Sequence, residues 1–227
     1  MMRAKLWLAG VATALALSST TAVASVVVVK SLGPSAKAYP PGKTFSESAK
    51  ITLQGGDVVT ILGPSSAQTL RGPGNFAASQ VALASAAARR GRFGALRAGE
   101  VAKNPSIWDL DATQSGTMCV SNPAKLNLWR PDVESAAKVM VRSADGKSHE
   151  LKWEAGSDLA EWPRTLPVKS GAEYHIEWPD SGEKNSMTFV ALKSPPSDLV
   201  GAAQLLIENG CQNQLDLLVS NAGKSGK

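Results

Sequence analysis

The sequence predicts a mainly β protein in which a small β module and an antiparallel β-sandwich are joined by an Ala-rich helix and followed by C-terminal helices. Short β-branched and apolar runs recur along most of the chain, and Gly and Pro turn signals separate them. Helical patterns occupy only one internal stretch and the C-terminal end. A chain of 227 residues with 43% hydrophobic residues can bury a large core and is not globally disordered.

The overall charge limits the classes of partner. The formal net charge is +5, and charged residues make up 19% of the chain, which argues against a dedicated nucleic-acid-binding protein. Two of the positive charges, Arg3 and Lys5, belong to an N-terminal leader, and without them the net charge is +3. We therefore expect no nucleic-acid partner.

Residues 1–24 have the parts of a secretory signal peptide. A basic start is followed by an apolar stretch from Leu6 to Leu17, and Ala22 and Ala24 supply the small residues that a signal peptidase reads. We expect cleavage between Ala24 and Ser25, and a periplasmic or secreted protein. The apolar stretch is too short to cross a bilayer comfortably, so we expect no stable membrane span after cleavage. An uncleaved N-terminal anchor is the alternative.

Residues 25–76 have the pattern of a small β module. Val26 to Val29 is a continuous β-branched run, which is typical of a buried strand. Further strands are predicted at Ala49 to Leu53, Val58 to Leu62 and Ala67 to Arg71, with glycine turns between them.

A family resemblance rests on these turns and strands. The stretch from Tyr39 to Lys43 (YPPGK), followed by Ala49 to Leu53 (AKITL) and Gly56 to Leu62 (GDVVTIL), resembles FecR-type periplasmic β domains. The resemblance implies a small all-β fold and a periplasmic location. In the FecR family such domains accompany signal transduction. The family's sigma-factor-binding region and transmembrane helix are not seen in this sequence, so the resemblance implies fold and compartment more than regulation.

Residues 77–104 are predicted to form a helical linker, because Ala77 to Ala88 is rich in the strongest helix former. The basic cluster of Arg89, Arg90 and Arg92 has two interpretations. It complements the negative C-terminal end of that helix, or it binds an acidic partner or an anionic envelope polymer.

Residues 105–194 have the strand spacing of an antiparallel β-sandwich. The predicted strands are Gly116–Val120, Lys125–Trp129, Lys138–Arg142, Ser148–Trp153, Leu159–Trp162, Glu173–Trp178 and Met187–Leu192. Asp145-Gly146 is the turn signal of a two-residue hairpin. This stretch is similar to the immunoglobulin-like accessory domains of bacterial envelope proteins, which implies the same two-sheet fold.

Residues 195–227 return to a helical pattern. Ser197 is the predicted N-cap of a first helix, which Asn209-Gly210 ends before a second amphipathic segment begins. Two cysteines in an exported chain favour a disulfide. We therefore expect Cys119 and Cys211 to pair and to fasten the helical segment to the start of the sandwich.

Catalytic signatures are missing from the sequence. It contains no phosphate-binding loop, nucleophile elbow or zinc-protease motif, and two histidines are too few for a His-rich zinc site. Asp109 and Asp111 offer fewer oxygens than Ca²⁺ requires. We therefore expect no enzymatic activity, no metal and no cofactor. A hydrolase that uses His149 or His175 as a general base is the alternative.

The tryptophans of the second β unit are the remaining candidates for a binding role. Trp153 and Trp178 are expected to fill the core. Trp129 and Trp162 lie at strand ends, where a ring is expected to be partly exposed, and with Arg130 they are the candidate contacts for a ligand or partner. We expect a non-enzymatic envelope protein that acts as a protein-binding or scaffold module. The alternative is a carbohydrate- or peptidoglycan-binding protein that uses the strand-end tryptophans.

The leader generates a direct prediction. N-terminal sequencing of the protein recovered from the periplasm or the medium should begin at Ser25. Ala24→Leu, which puts a bulky side chain at the cleavage position, should accumulate as the precursor. Recovery of exported protein that begins at Met1 would contradict cleavage.

Overall fold

The computed structural model describes residues 25–80 and 103–224. Over these ranges the protein is mainly β with C-terminal helices, so the predicted fold class is confirmed. Most of the predicted helical linker, residues 81–102, lies outside the described residues. The strands of the first β unit are β1 (Ser25–Leu32), β2 (Thr44–Ser46), β3 (Lys50–Leu53), β4 (Val58–Leu62), β5 (Ala67–Arg71) and β6 (Gly74–Ala77).

The first β unit is built around β1. Its larger sheet has the antiparallel order β2-β1-β4-β5, and β3 pairs with β6 in a smaller sheet. Val26 and Val28 of β1 pack into the core that the two sheets enclose, whereas Val27 and Val29 pack on the opposite face. The β-branched run is therefore a strand that is buried on both faces, as its composition predicts.

A buried carboxylate fastens the loop after β1 to the turn between β3 and β4. Asp57 is only 1% exposed, and its two carboxylate oxygens accept the backbone N–H groups of Ser35 (2.8 Å) and Gln54 (2.6 Å). Hydrogen bonds from Ser35, through its hydroxyl and its backbone N–H, lower the pKa of Asp57. Gly33 has a φ of +104°, and a Cβ there would lie 2.6 Å from an Asp57 oxygen, so only glycine fits.

The second β unit is a two-sheet sandwich. Its strands are β7 (Leu110–Asp111), β8 (Gly116–Val120), β9 (Asn127–Trp129), β10 (Ala137–Ser143), β11 (Ser148–Trp153), β12 (Leu159–Glu161), β13 (Glu173–Glu177) and β14 (Lys184–Ala191). One sheet has the order β11-β10-β13-β14-β8 and the other the order β12-β9-β7. Apolar side chains from both sheets form one core between them.

The sandwich differs from the predicted antiparallel arrangement at two pairs of strands. β8 pairs with β14 in parallel, and β7 pairs with β9 in parallel. β7 was missed because two residues are too short for an alternation pattern. The hairpin between β10 and β11 forms at the predicted place, but the prediction of a two-residue loop is wrong, since β10 ends at Ser143 and β11 begins at Ser148. Gly146, with a φ of +85°, donates its backbone N–H to the carbonyl oxygen of Ser143 within this longer loop.

The C-terminal helices are α1 (Leu199–Glu208) and α2 (Gln212–Lys224). The predicted N-cap at Ser197 is wrong by one residue: Asp198 is the N-cap, and its carboxylate accepts the backbone N–H of Gly201 at 2.8 Å. Neither helix within the described ranges has the length and apolar content needed to cross a membrane.

The helical pair lies between the two β units and shares a core with both. Val27, Val29 and Leu62 of the first unit and Cys119 of the second belong to the same buried cluster as the apolar faces of α1 and α2. α1 packs on β1 and β4, whereas α2 packs on β5 and β8. The position of the helices therefore decides how the two units meet.

Two side chains of the helical segment hold one residue of β8. Cys119 and Cys211 form the expected disulfide, with their Cα atoms 5.8 Å apart. The buried amide of Gln214 accepts the backbone N–H of Cys119 (2.6 Å) and donates to the carbonyl oxygens of Cys119 (2.8 Å) and Ile107 (2.7 Å). Gln214 thus takes the place of a neighbouring strand at the edge of the sheet. We call Cys119, Cys211 and Gln214 the clasp.

Gln214→Ala should lower the free energy of unfolding by about 3 kcal/mol, because the buried N–H of Cys119 and two carbonyl groups would lose their partner. Urea unfolding of the disulfide-intact protein measures this. Gln212→Ala is the matched control, since that side chain is exposed and, among the described residues, bonds only Asp216. It should change stability by less than about 0.5 kcal/mol. Equal effects of the two substitutions would show that the amide of Gln214 is not a clasp.

Asp57→Asn should lower the melting temperature at neutral pH, because an amide cannot accept two backbone N–H groups with both its polar atoms. The difference from the wild type should shrink as the pH falls below the ordinary carboxyl pKa of 3.8. A carboxylate with a lowered pKa stabilises the fold above its ordinary pKa, and this contribution is lost as the pH falls through the lowered value. Thermal melts at stepped pH measure the trend, with the exposed Glu208→Gln as control. A pH-independent difference would contradict the role of the charge.

Candidate functional site

Three loops converge at one end of the sandwich. They are residues 130–136 between β9 and β10, 154–158 between β11 and β12, and 178–183 between β13 and β14. The strand pairing fixes this convergence, since Ala137 at the start of β10 pairs with Trp153 at the end of β11, and Met140 of β10 pairs with Glu177 at the end of β13. The site is therefore built from loops carried by a rigid sheet.

Arg130 ties two of these loops together. Its Nε donates to the carbonyl oxygen of Ser157 at 3.0 Å, and Nη2 donates to that of Glu154 at 3.1 Å. The guanidinium carbon lies 5.7 Å from the centre of the Trp153 ring, a cation–π contact. Arg130 is only 2% exposed and has no carboxylate partner among the described residues.

Two stacked tryptophans continue this arrangement. The rings of Trp153 and Trp178 lie 5.7 Å apart and are nearly parallel, at 6°. Trp153 is a core residue, as predicted, and its buried indole N–H has no hydrogen-bond partner among the described residues. Trp178 is only half-buried, because it lies just beyond the end of β13.

Two adjoining open cavities, of about 260 Å³ and 230 Å³, lie among the three loops and the neighbouring ends of β10 and β11. The two share Ala136, Ala137 and Asp180, and we call them together the loop pocket. Its ionisable and aromatic lining residues are Arg130, Asp132, Lys138, Lys152, Trp153, Glu154, Trp178, Asp180 and Glu183. Within the described part of the chain, the carboxylates of Asp180 and Glu183 form no hydrogen bond or ion pair.

A second cavity, of about 550 Å³, lies at the opposite end of the sandwich. Its lining residues are Pro123, Ala124, Leu126, Glu161, Trp162, Pro163, Arg164, Leu166, Pro167 and Val168. We call this cavity the proline groove. Its wall is mostly apolar, and its two charged side chains, Glu161 and Arg164, pair with each other at 3.3 Å.

A third cavity, the polar cleft, lies beside the clasp and has a volume of about 290 Å³. Trp129, Asp109, Asp111 and Gln214 are among its lining residues. Both aspartates have partners: Asp109 accepts the side-chain amide of Asn127 at 2.9 Å, and Asp111 accepts the backbone N–H and hydroxyl of Thr113. In residues 25–80 and 103–224, no group of three or more His, Cys, Asp or Glu side chains is placed to hold a metal ion.

The expectation that the strand-end tryptophans are partly exposed is wrong. Trp129 is 3% exposed and Trp162 is 5% exposed. Trp162 is buried because it belongs to the apolar core between the sheets. Trp129 is buried on the other face of β9, since its neighbour Leu128 faces that core, and it lines the polar cleft together with Gln214 of α2. The three predicted contact residues do not form one site: Trp129 lies in the polar cleft, Arg130 in the loop pocket and Trp162 in the proline groove.

The two histidines do not converge. Val141 of β10 pairs with His149 on one side and with Ile176 on the other, so these three share a face of the sheet. His175 precedes Ile176 and therefore points to the opposite face. Both imidazoles are exposed, and the Nδ1 of His149 lies 3.2 Å from the hydroxyl of Thr165.

Some predicted site residues lie outside the described residues: Arg89, Arg90, Arg92 and Ala24. Ser25, on the other side of the predicted cleavage bond, is the first residue of β1. Among the residues missed from the sequence, Gln214 had a usable signal. It follows Cys211 by three residues on the apolar stripe that continues through Leu215 and Leu218, where a polar residue needs a buried partner. Asp180 had no such signal.

Comparisons of the chain with protein-family models, with curated proteins and with solved structures give no match. The chemistry of the chain's own residues is therefore the basis for assigning its function.

Proposed function

We propose that the protein is an exported, non-enzymatic envelope module that binds another protein. The leader in residues 1–24 supports export, and the Cys119–Cys211 disulfide suits an oxidising compartment. His149 lies beside the hydroxyl of Thr165, but among the described residues no carboxylate orients its exposed imidazole, and His175 lies on the opposite face of the sheet, which supports a role without catalysis.

We also propose that the two β units are a FecR-like module and an immunoglobulin-like sandwich. The motif stretch of the first unit supplies Asp57, whose carboxylate fastens a loop instead of meeting a substrate. In the second unit, Tyr174 lies near the start of β13 and donates its hydroxyl to the carbonyl oxygen of Pro167, a contact typical of immunoglobulin-like sandwiches. Burial raises the pKa of Tyr174, which keeps the donating proton in place.

The proline groove is the single observation that carries the protein-binding proposal. Its wall has few polar groups that could orient a small polar ligand, whereas an apolar side chain on a partner's loop fits it. The prolines at 123, 163 and 167 lack backbone N–H groups, which leaves fewer donors to be desolvated on binding.

The walls of this groove are fixed before any partner binds. Trp162 donates its indole N–H to the carbonyl oxygen of Leu166 (2.7 Å), and its backbone N–H to that of Leu126 (2.8 Å). The ring of Trp162 meets Tyr174 and Phe189 edge-on at centroid distances of 5.1 Å and 5.0 Å. Because the side chains of the groove wall lose little conformational freedom on binding, even a small contact area can bind a partner. Trp162 therefore shapes the groove instead of presenting an exposed ring.

Ala124→Glu should abolish partner capture, because it places a charge in an apolar groove from an exposed position that the fold tolerates. The measurement is mild cross-linking in intact cells, purification of the protein and identification of the bound species by mass spectrometry. Ala155→Glu, also exposed but at the other end of the sandwich, is the matched control and should capture the same partner as the wild type.

Two results would count against the protein-binding proposal. The first is a wild-type protein that is recovered as a clean monomer with no captured species. The second is a partner that Ala124→Glu captures as well as the control does, which would place the contact elsewhere.

A further inference from the structure

The loop pocket combines an aromatic surface, unused donors and unused acceptors. We propose that it is a binding site for a neutral saccharide. This inference is independent of the protein contact at the proline groove. The loop pocket and the proline groove lie at opposite ends of the sandwich and share no lining residue.

The aromatic surface comes from Trp178. Its ring is half-buried and is held in place by stacking on Trp153 and by its indole N–H, which donates to the carbonyl oxygen of Ala112 at 3.4 Å. A fixed, partly exposed indole offers a flat apolar face on which the C–H face of a sugar ring can stack. The site therefore has a preformed platform on the wall of the pocket.

The donors come from Arg130. Arg130 has five N–H donors. Within the described part of the chain, only two of them have a protein acceptor: Nε–H donates to the carbonyl oxygen of Ser157, and one Nη2–H donates to that of Glu154. The remaining N–H groups of Arg130 can therefore donate to oxygen atoms of a ligand in the pocket. The indole N–H of Trp153 is buried below the pocket surface and is not one of these donors.

The acceptors are the carboxylates of Asp180 and Glu183, which have no partner in the described residues. A hydroxyl group donates one hydrogen bond and accepts others, so a polyhydroxylated ring can use the donors and the acceptors together. The lining carries the positive charges of Arg130, Lys138 and Lys152 and the negative charges of four acidic side chains. This near-balance favours a neutral ligand over a strongly charged one.

The two adjoining cavities of the loop pocket favour a ligand that is longer than one sugar unit. They meet at Ala136, Ala137 and Asp180, so a chain of linked sugar units can extend from the cavity lined by Trp178 into the cavity lined by Trp153. We therefore expect a linear oligosaccharide to bind more tightly than its monosaccharide.

The test uses the mature full chain and three neutral probes: cellotetraose, maltotetraose and chitotetraose. At least one should change the tryptophan fluorescence saturably below about 10 mM. Trp178→Ala should weaken that binding by about tenfold or more, which corresponds to about 1.4 kcal/mol. Asp180→Ala, which changes an exposed loop residue and spares the core, should weaken it by about fivefold.

Asp145→Ala is the matched control, because Asp145 is an exposed turn aspartate at the opposite end of the sandwich. The saccharide affinity of this variant should equal that of the wild type. Absence of a saturable response to all three probes would overturn the proposal. So would a saccharide affinity that neither Trp178→Ala nor Asp180→Ala alters. Loss of the cross-linked protein partner on Asp180→Ala, with no saccharide bound, would assign the pocket to a protein ligand and refute the saccharide site. If Ala124→Glu still captures the protein partner, the protein-binding proposal fails, but the saccharide measurements at the loop pocket keep their meaning.

Discussion

The clasp on Cys119 is the constraint on which the arrangement of the molecule depends. β8 is the last strand of its sheet, and its backbone groups at Cys119 would be unpaired without a neighbour. Gln214 supplies that neighbour with one amide, and the disulfide to Cys211 fixes the start of α2 against the same residue. The helical pair is thereby positioned to cover β1, whose valines are buried on both faces only because helices lie on one of them.

This architecture leaves both ends of the sandwich free of the helices. One end carries the proline groove, with apolar walls that are held by Trp162 and Tyr174. The other end carries the loop pocket, where Arg130 links two loops beneath Trp178. Their chemistry differs, since one is apolar and the other combines donors, acceptors and an aromatic face. A protein contact and a saccharide contact are therefore compatible on one rigid domain.

Much of the fold could be predicted from local patterns, but the sites could not. The β-branched run at Val26 to Val29 and the Asp145-Gly146 turn are local signals: the strand forms as expected, and the hairpin forms at the expected place with a longer loop. The burial of Trp162 depends on the core between the two sheets, and that of Trp129 on the other face of β9, beside α2; no local pattern records either. The roles of Arg130 and Gln214 depend on partners distant in sequence, such as Glu154 for the first and Cys119 for the second.

Hydrogen–deuterium exchange of the variant Cys119→Ala/Cys211→Ala, compared with the wild type, tests the central claim most directly. If the clasp positions the helical pair between the two units, amides of α1, α2 and β1 should exchange faster in the variant. Amides of β10 and β11, whose core does not include the helices, should keep their protection. Unchanged protection of α1, α2 and β1 would contradict the account, and so would an equal loss of protection in β10 and β11.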